Sequence, residues 1–150
     1  MAETVTALSD QLFALLQKEK LVLLSTIDSI TGAPHTSTIS WVYAAEPQRL
    51  RFAVDLRSSV VTNVKANPKV TTTFFGGGTV NVIYGSARII SELLDEVPFK
   101  LACIDVDIES ILDAMFYGSR ISVEPEFEKT YDKRAAQKLD EQVFEAMKKA

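Results

Sequence analysis

Hydrophobic and polar residues alternate along much of the first ninety positions, as they do in β-strands with one buried face. Alternating or short apolar runs predict strands at residues 21–27, 35–43, 50–54, 69–75 and 79–90. Short turns separate the first three runs, which indicates an antiparallel meander. Gly85 interrupts the longest run, and a glycine inside a strand is typical of a bend or β-bulge.

Two helices are predicted in the same half of the chain. Apolar residues recur at helical spacing over residues 5–16, and Ser9 or Asp10 can serve as the N-cap. A second helix is expected after the third strand, with Ser58 or Ser59 at its start. The Asn-Pro pair that follows ends this helix, because a residue before proline avoids the α region.

The second half of the chain is predicted to be mostly helical. Apolar residues at helical spacing predict a helix over residues 104–115, which Gly118 would end. Residues 120–124 are expected to form a last strand, and a final helix is expected over residues 127–150. The total of about six strands favours an α+β fold, in which a mainly antiparallel sheet closes into a small barrel with flanking helices.

Composition indicates an ordinary globular protein. The chain has 150 residues, of which 47% are hydrophobic and 24% charged, and this is typical of one domain over residues 1–150. A net charge of −4 disfavours binding to nucleic acid or to an anionic membrane surface. The single cysteine, Cys103, suits a reducing compartment, and the N-terminal segment lacks the features of a signal peptide. We therefore expect a cytoplasmic protein.

Several catalytic and metal-binding signatures are absent from the sequence. It contains no P-loop, no G-x-G-x-x-G fingerprint and no G-x-S-x-G nucleophile elbow. One histidine and one cysteine cannot form a His/Cys zinc site of the usual composition. Metal binding and nucleophilic hydrolysis are therefore disfavoured, and no catalytic residue is assigned.

The junction between the third strand and the second helix could hold a phosphate group. The first backbone amides of a helix lack intrahelical partners and carry a partial positive charge. Arg57, Ser58 and Ser59 add a guanidinium and two hydroxyls at that point. In the simpler interpretation, Ser58 only caps the helix and Arg57 faces solvent.

Hydroxyl groups form a row on the strand over residues 35–43. Thr36, Thr38 and Ser40 share one face, where they could line a pocket for a planar, heteroatom-rich ring or form an exposed strand face. Asn81 is polar in an otherwise apolar strand, and it could bind a ligand or lie on a solvated face.

In its order of segments, the chain resembles the pyridoxamine 5′-phosphate oxidase-like FMN-binding split-barrel superfamily, and more closely its short general-stress-protein-type members. The resemblance covers about residues 20–90 and rests on LVLLSTIDSITGAPHTSTISWVY, LRFAVDLRSSVVTNVKANPKVTTTFF and TVNVIYGSARII. The stretch RISVEPEFEKTYD is similar to the last strand of the family. The C-terminal Trp/Arg-rich signature of the true oxidases is absent, so that oxidase activity is not expected.

The resemblance implies a homodimer of six-stranded split barrels with two FMN sites at the subunit interface. It puts the flavin ring against residues 37–42, the ribityl chain near Val54 and Asp55, and the phosphate at the start of the second helix. With the candidates above, the cofactor-binding set is Ser37, Thr38, Ile39, Ser40, Val54, Asp55, Arg57, Ser58, Ser59 and Asn81. Ser59 and Val60 stand where many members of the family carry basic residues.

The leading hypothesis is an FMN-binding homodimer that acts as a small oxidoreductase or reductase, with a nicotinamide as one possible electron donor. One alternative keeps the barrel and replaces FMN by the deazaflavin F420 or by haem. A second alternative is a dimer without a cofactor that serves as a stress-related binding module. The visible absorbance of the purified protein distinguishes the three.

Overall fold

The computed structural model describes residues 4–150, which form three α-helices and one seven-stranded antiparallel sheet. The helices are α1 (Asp10–Leu15), α2 (Ser59–Ala66) and α3 (Lys133–Lys149). The strands are β1 (Val22–Ile27), β2 (Pro34–Ile39), β3 (Val42–Glu46), β4 (Arg49–Asp55), β5 (Lys69–Gly76), β6 (Thr79–Ser91) and β7 (Leu101–Asp113). The predicted α+β class is confirmed, with seven strands in place of six.

The sheet curves strongly and is barrel-like. Its strand order is β2-β1-β5-β6-β7-β4-β3, so its two edge strands, β2 and β3, are neighbours in sequence. Only Ser40 and Trp41 separate them, and a link of this length spans at most roughly 11 Å between strand ends. The edges of the sheet must therefore approach each other at this point. Within the described residues no ladder joins β2 to β3, so the predicted closed barrel is corrected to an open one.

The concave side of the curved sheet holds the main hydrophobic core. Six of the seven strands contribute a fully buried side chain, namely Leu24, Val42, Phe52, Phe74, Ile83 and Ile104. Helix α2 adds Val60 and Val64, and α1 adds the partly buried Leu12. Because side chains alternate across a strand, burying one face of each strand here leaves every second residue on the convex side.

Helix α3 covers one part of the convex side. Its Met147 lies in a second buried cluster with Ala53 of β4 and Cys103 of β7. The sequence neighbours of these two residues, Phe52 and Ile104, lie in the main core instead. Strands β4 and β7 are therefore buried on both faces, between the main core and α3.

An ion-pair network joins the sheet to the end of α3. The Arg51 guanidinium donates to the buried carboxylate of Asp105 at 2.6 and 3.1 Å and to the Met147 carbonyl at 2.9 Å. A cation is favourable there because the C-terminal end of a helix carries a partial negative charge. Arg88 extends the network to Asp107 at 2.9 Å, and this hydrogen bond lowers the pKa of Asp107.

Another part of the convex side carries two rows of uncharged side chains across β2, β1, β5, β6 and β7. In strand register these rows are Thr38, Leu23, Thr73, Val82 and Leu112, and then Thr36, Ser25, Thr71, Tyr84 and Ser110. Tyr84 is 42% exposed and Leu112 is 51% exposed. We call this surface the uncharged face.

The helix predicted over residues 104–115 is wrong, because these residues belong to β7. Ile104 and Ile108 are four residues apart, a spacing that fits a helix and equally fits one face of a strand. The intervening Asp105 and Asp107 lie on the convex side, where arginines of β4 and β6 pair with them. Partners that are distant in sequence thus satisfy the polar positions of this strand.

Three other element predictions are corrected. The strand predicted over residues 35–43 is divided into β2 and β3 by Ser40 and Trp41, so the expected meander is two hairpins at opposite edges of the sheet. Residues 120–124 contain no strand. The last helix begins at Lys133, because the Asp132 carboxylate accepts a hydrogen bond from the Ala135 amide and so caps α3 there.

The predicted starts of the first two helices are confirmed. Ser9 caps α1, with its hydroxyl accepting a hydrogen bond from the Leu12 amide at 3.2 Å. Ser58 caps α2 in the same way. Val5, however, lies outside α1 and pairs with Ile111 through an isolated β-bridge. The first helix is therefore shorter than its apolar pattern indicates.

Candidate functional site

Most of the predicted cofactor residues lie along a gap in the strand pairing, where no β-ladder joins β2 to the chain that runs from β4 into α2. At one end of this gap the Ala53 amide donates to the Trp41 carbonyl at 3.0 Å. At the other end the Ser59 hydroxyl lies 3.4 Å from His35 Nε2. The predicted residues at or between these contacts are Ser37, Thr38, Ile39, Ser40, Val54, Asp55, Arg57, Ser58 and Ser59. We call this gap the seam.

Helix α2 starts at the seam, and its first residues already use part of their hydrogen-bonding capacity. The Ser58 hydroxyl accepts from the Val60 amide at 3.1 Å, and the Ser58 amide donates to the Asp55 carbonyl at 2.9 Å. Ser58 therefore serves the helix as its N-cap. Ser59 is exposed and occupies the first helical position, where the backbone N–H has no i−4 carbonyl to bond. The capacity to bind an anion thus lies with Ser59 more than with Ser58.

Arg57 is paired with Asp55 in front of this helix start. Its side chain is 90% exposed, and its Nε lies 3.3 Å from the Asp55 carboxylate. The same carboxylate accepts a hydrogen bond from the Arg57 amide at 2.7 Å. These bonds lower the pKa of Asp55 and raise that of Arg57. Solvent screens an exposed ion pair of this kind, so a phosphate can compete with the carboxylate for the guanidinium.

Polar contacts of Asn63, in the middle of α2, hold this helix against the β1–β2 hairpin. The Asn63 amide donates to the Thr26 hydroxyl at 3.0 Å, and its carbonyl oxygen accepts from the Ser29 amide at 3.0 Å. His35 Nδ1 is buried and has no hydrogen-bond partner among the described residues, while its Nε2 faces Ser59. These contacts bring Ser59 next to β2.

The far end of β2 borders a small cavity. Ser37 and Ile39 are half-buried, whereas Thr36 and Thr38 are exposed, so the predicted hydroxyl row is an exposed strand face at these two threonines. A cavity of about 210 Å³ lies where β2 ends, and it is lined by Leu21, Thr38, Ile39, Ser40, Phe127 and Lys129. Three predicted residues thus share one cavity with two residues of the segment 114–132.

Sequence reasoning missed Phe127 and Lys129. The helical pattern of the C-terminal stretch extended α3 over both of them, although they precede its N-cap, Asp132. An acidic residue placed shortly before an apolar periodic run is an N-cap signal that could have ended the predicted helix there. Their approach to β2 depends on long-range contacts and has no local signal.

Asn81 does not lie at the seam. It is buried on β6, between β5 and β7, and its amide donates to the carbonyls of Phe74 and Gly76 at 3.3 and 3.0 Å. These bonds hold the end of the β5–β6 hairpin. Asn81 therefore stabilises this hairpin, and its predicted part in binding a ligand stays a prediction.

The cysteine and the residue types that bind metals give no second candidate site in the described part of the chain. Burial raises the pKa of the Cys103 thiol to about 11, which keeps it protonated at neutral pH. Among the described residues there is no group of three His, Cys, Asp or Glu side chains that could hold a metal ion. No helix in that part of the chain is long and apolar enough to span a membrane.

A wider groove of about 810 Å³ lies between α3 and residues 17–19, away from the seam. Its charged lining is balanced between Lys18, Lys129, Lys133 and Lys148 and Glu19, Asp140, Glu141 and Glu145. None of the predicted cofactor residues lines it. A balanced surface of this kind has no preference for an anion, so the seam remains the better candidate site.

Solved structures share this fold at low sequence identity. A pyridoxamine 5′-phosphate oxidase candidate from Lactobacillus delbrueckii is 19% identical, with a TM-score of 0.61 and coverage of 72% of this chain and 95% of that one. General Stress Protein 26 from Bacillus anthracis is 17% identical, with a TM-score of 0.56 and coverage of 68% and 89%. An F420 reductase is also 17% identical, with a TM-score of 0.56 and coverage of 66% and 94%.

A family match goes further than these structural likenesses. A search among curated proteins found no match. The sequence model of the pyridoxamine 5′-phosphate oxidase family, however, matches residues 8–103, which is more than half of the chain. This stretch includes α1, α2, β1 to β6 and the first residues of β7, and so both sides of the seam. The chain therefore belongs to the pyridoxamine 5′-phosphate oxidase family.

Proposed function

We propose that the protein is an FMN-binding split-barrel oxidoreductase that works as a homodimer in the cytoplasm, with residues 1–150 forming a single cofactor domain. The observation that carries the proposal is the seam, which joins an open strand edge to a helix start bearing Arg57 and Ser59. This combination suits an elongated compound with a phosphate at one end and a ring at the other. Bound FMN would supply the electron chemistry, and the chain would bind and orient it.

The start of α2 suits the phosphate end of the cofactor. The Ser59 hydroxyl and amide offer two donors, and the exposed guanidinium of Arg57 can exchange Asp55 for a phosphate. A bidentate Arg–phosphate contact is stronger than an exposed Arg–carboxylate pair. Arg57 would then supply the positive charge that other family members take from basic residues at Ser59 and Val60.

The open edge of β2 suits the ring end. This strand pairs with β1 on one side only, so alternate N–H and C=O groups on its other edge face the seam. A flavin ring carries hydrogen-bond donors and acceptors along one edge, and these match an unpaired strand edge without any charged side chain. Ser37 to Ser40 would thus orient the ring mainly through their backbone.

The uncharged face supports the proposed homodimer. Tyr84 and Leu112 are large and half-exposed on a surface where strand register brings uncharged side chains together. Depletion of charge and enrichment in aromatic and aliphatic side chains are typical of the centre of an interface. A second copy packed on this face with two-fold symmetry would cover both side chains in both subunits.

Titration with FMN and with riboflavin tests the cofactor and its phosphate site together. We expect FMN to bind more tightly than riboflavin, because riboflavin lacks the phosphate. Arg57→Gln should weaken FMN binding by roughly 10- to 100-fold, because the charge-assisted contact with the phosphate is lost, and it should leave riboflavin binding unchanged.

Lys65→Gln is the matched control, because Lys65 carries the same charge at the other end of α2 and pairs with Glu92 at 3.0 Å. It should leave both affinities unchanged. Equal affinity for FMN and riboflavin would remove the phosphate site from the proposal. Absence of binding to either compound would contradict flavin binding altogether.

A cofactor-free binding module is the second candidate, and one observation favours it. Asp55 already neutralises Arg57 beside the helix start, and Val60 is buried in the core, so the net charge available to a phosphate is small. A colourless purified protein that ignores added FMN would support this candidate. A haem Soret band or the absorbance of F420 would instead assign the seam to one of those cofactors.

A further inference from the structure

The cavity at the end of β2 has an aromatic side chain as part of its wall. It lies next to Ile39 and Ser40, about four to five residues along the strand from His35, which contacts Ser59. At about 3.3 Å per residue, the cavity is roughly 13–17 Å from the start of α2. This separation puts the cavity beside the end of β2 that lies away from the proposed phosphate site. Phe127 contributes the aromatic wall and is 44% exposed.

Lys129 and its partners hold this wall in place. The Lys129 ammonium bonds to Glu19 at 2.9 Å and to Asp140 of α3 at 3.1 Å, and it lies 5.5 Å from the centre of the Phe127 ring. The other carboxylate oxygen of Asp140 accepts a hydrogen bond from the Trp41 indole at 2.8 Å. Because Trp41 immediately follows Ser40, the network connects Phe127 to the link between β2 and β3.

We propose that Phe127 forms the outer wall of a subsite for one end of the flavin ring, and that Lys129 positions it. This inference rests on the proposed function, since it names the part of the chain that covers the ring. The cavity of about 210 Å³ is smaller than the roughly 300 Å³ at which pockets for whole ligands begin, so it takes one end of the tricyclic ring. The rest of the ring would lie along the seam.

The chemistry of the lining matches that end of a flavin. Leu21, Ile39 and Phe127 present apolar surface, and an aromatic side chain attracts a planar ring by offset stacking. The charge of Lys129 is neutralised by Glu19 and Asp140, so it does not select for an anion. This subsite therefore recognises the uncharged ring and is indifferent to the phosphate.

Affinities of Phe127→Ala for riboflavin and FMN test the inference. We expect both to fall by the same factor, roughly five- to tenfold, because the lost stacking involves only the ring. The variant should also quench the fluorescence of bound flavin less than the wild type does. Lys129→Met should give a smaller and again equal loss for the two compounds, since it releases Phe127 without removing it.

Phe116→Ala is the matched control. Phe116 lies on the same segment, is 70% exposed and does not line the cavity, so its loss should change neither affinity nor quenching. Wild-type flavin affinities retained by Phe127→Ala would overturn the ring subsite and leave the proposed function standing. A loss for FMN alone would also overturn it, because the effect would then belong to the phosphate. A wild-type protein that binds neither compound would overturn both proposals.

Discussion

Two buried threonines on the concave side of the sheet differ in what their hydroxyls contact. The Thr26 hydroxyl accepts a hydrogen bond from the buried amide of Asn63 at 3.0 Å. The Thr72 hydroxyl is completely buried and has no partner among the described residues. An unpaired buried hydroxyl costs free energy, whereas a paired one keeps its donor satisfied. The two residues therefore respond in opposite ways to the same substitution.

Thr72→Val should raise the free energy of unfolding by about 1 kcal/mol, because it removes an unpaired hydroxyl and keeps the shape of the side chain. Thr26→Val should lower it by about 1–3 kcal/mol, because the Asn63 amide loses its acceptor. Urea unfolding of the two variants beside the wild type measures both changes. A stabilised Thr26→Val protein would show that the contact holding α2 to the first hairpin contributes nothing.

At the scale of elements, a bulge in the longest hairpin decides how β6 and β7 pack. The register between them shifts from Tyr84 to Gly85. A Cβ atom on Gly85 would lie 2.6 Å from the Asp107 carbonyl oxygen and 2.6 Å from a methyl group of Val106. Glycine is therefore required by the close approach of the neighbouring strand. The bend predicted from this glycine is confirmed as a bulge.

Gly85→Ala should destabilise the protein on the order of 2–3 kcal/mol, because the added methyl meets backbone that cannot move without separating the strands. Gly32→Ala is the comparison. Gly32 has a φ of +74° but nothing within 4 Å of an added methyl, so it should lose only about 1 kcal/mol from its backbone conformation. Denaturant unfolding of both variants ranks them. Equal losses would mean that β7 yields to the added methyl.

At the scale of the whole molecule, the convex side of the sheet is used in two ways. One part is covered by α3, whose last turn is tied to the sheet through Arg51 and Asp105. The other part is the uncharged face, where Tyr84 and Leu112 remain half-exposed. A β-sheet normally buries a face of this composition, and a second copy of the chain is the occupant that the proposed function requires.

Leu112→Lys should convert the proposed dimer into a monomer, since two-fold symmetry puts an unpaired charge into the interface from both subunits. Sedimentation velocity gives the mass, and circular dichroism checks that the variant is folded. Leu93→Lys is the control, because Leu93 is 54% exposed and lies outside the uncharged face, so the mass should not change. A wild-type monomer, or a Leu112→Lys protein that remains dimeric, would contradict this interface.

The sequence alone predicted the elements whose signals are local. Ser9 and Ser58 are caps because a hydroxyl beside a free helix amide bonds to it wherever the chain runs. Strands β1, β4, β5 and β6 follow from alternating or short apolar runs, and Gly85 marks the bulge. The order of these segments also predicted the family, and the family match confirms it. For the site, the sequence indicated the start of α2 and the strand beside it.

Only the tertiary structure decided the elements whose polar residues find partners far along the chain. The middle of strand β7 alternates branched aliphatic residues with Asp105 and Asp107, and arginines of β4 and β6 neutralise these acids. The approach of Phe127 to the end of β2 also depends on contacts between distant parts of the chain, which a local pattern does not contain. Local periodicity indicates which face of an element is apolar. Which other elements pack against that face depends on the packing of the whole chain.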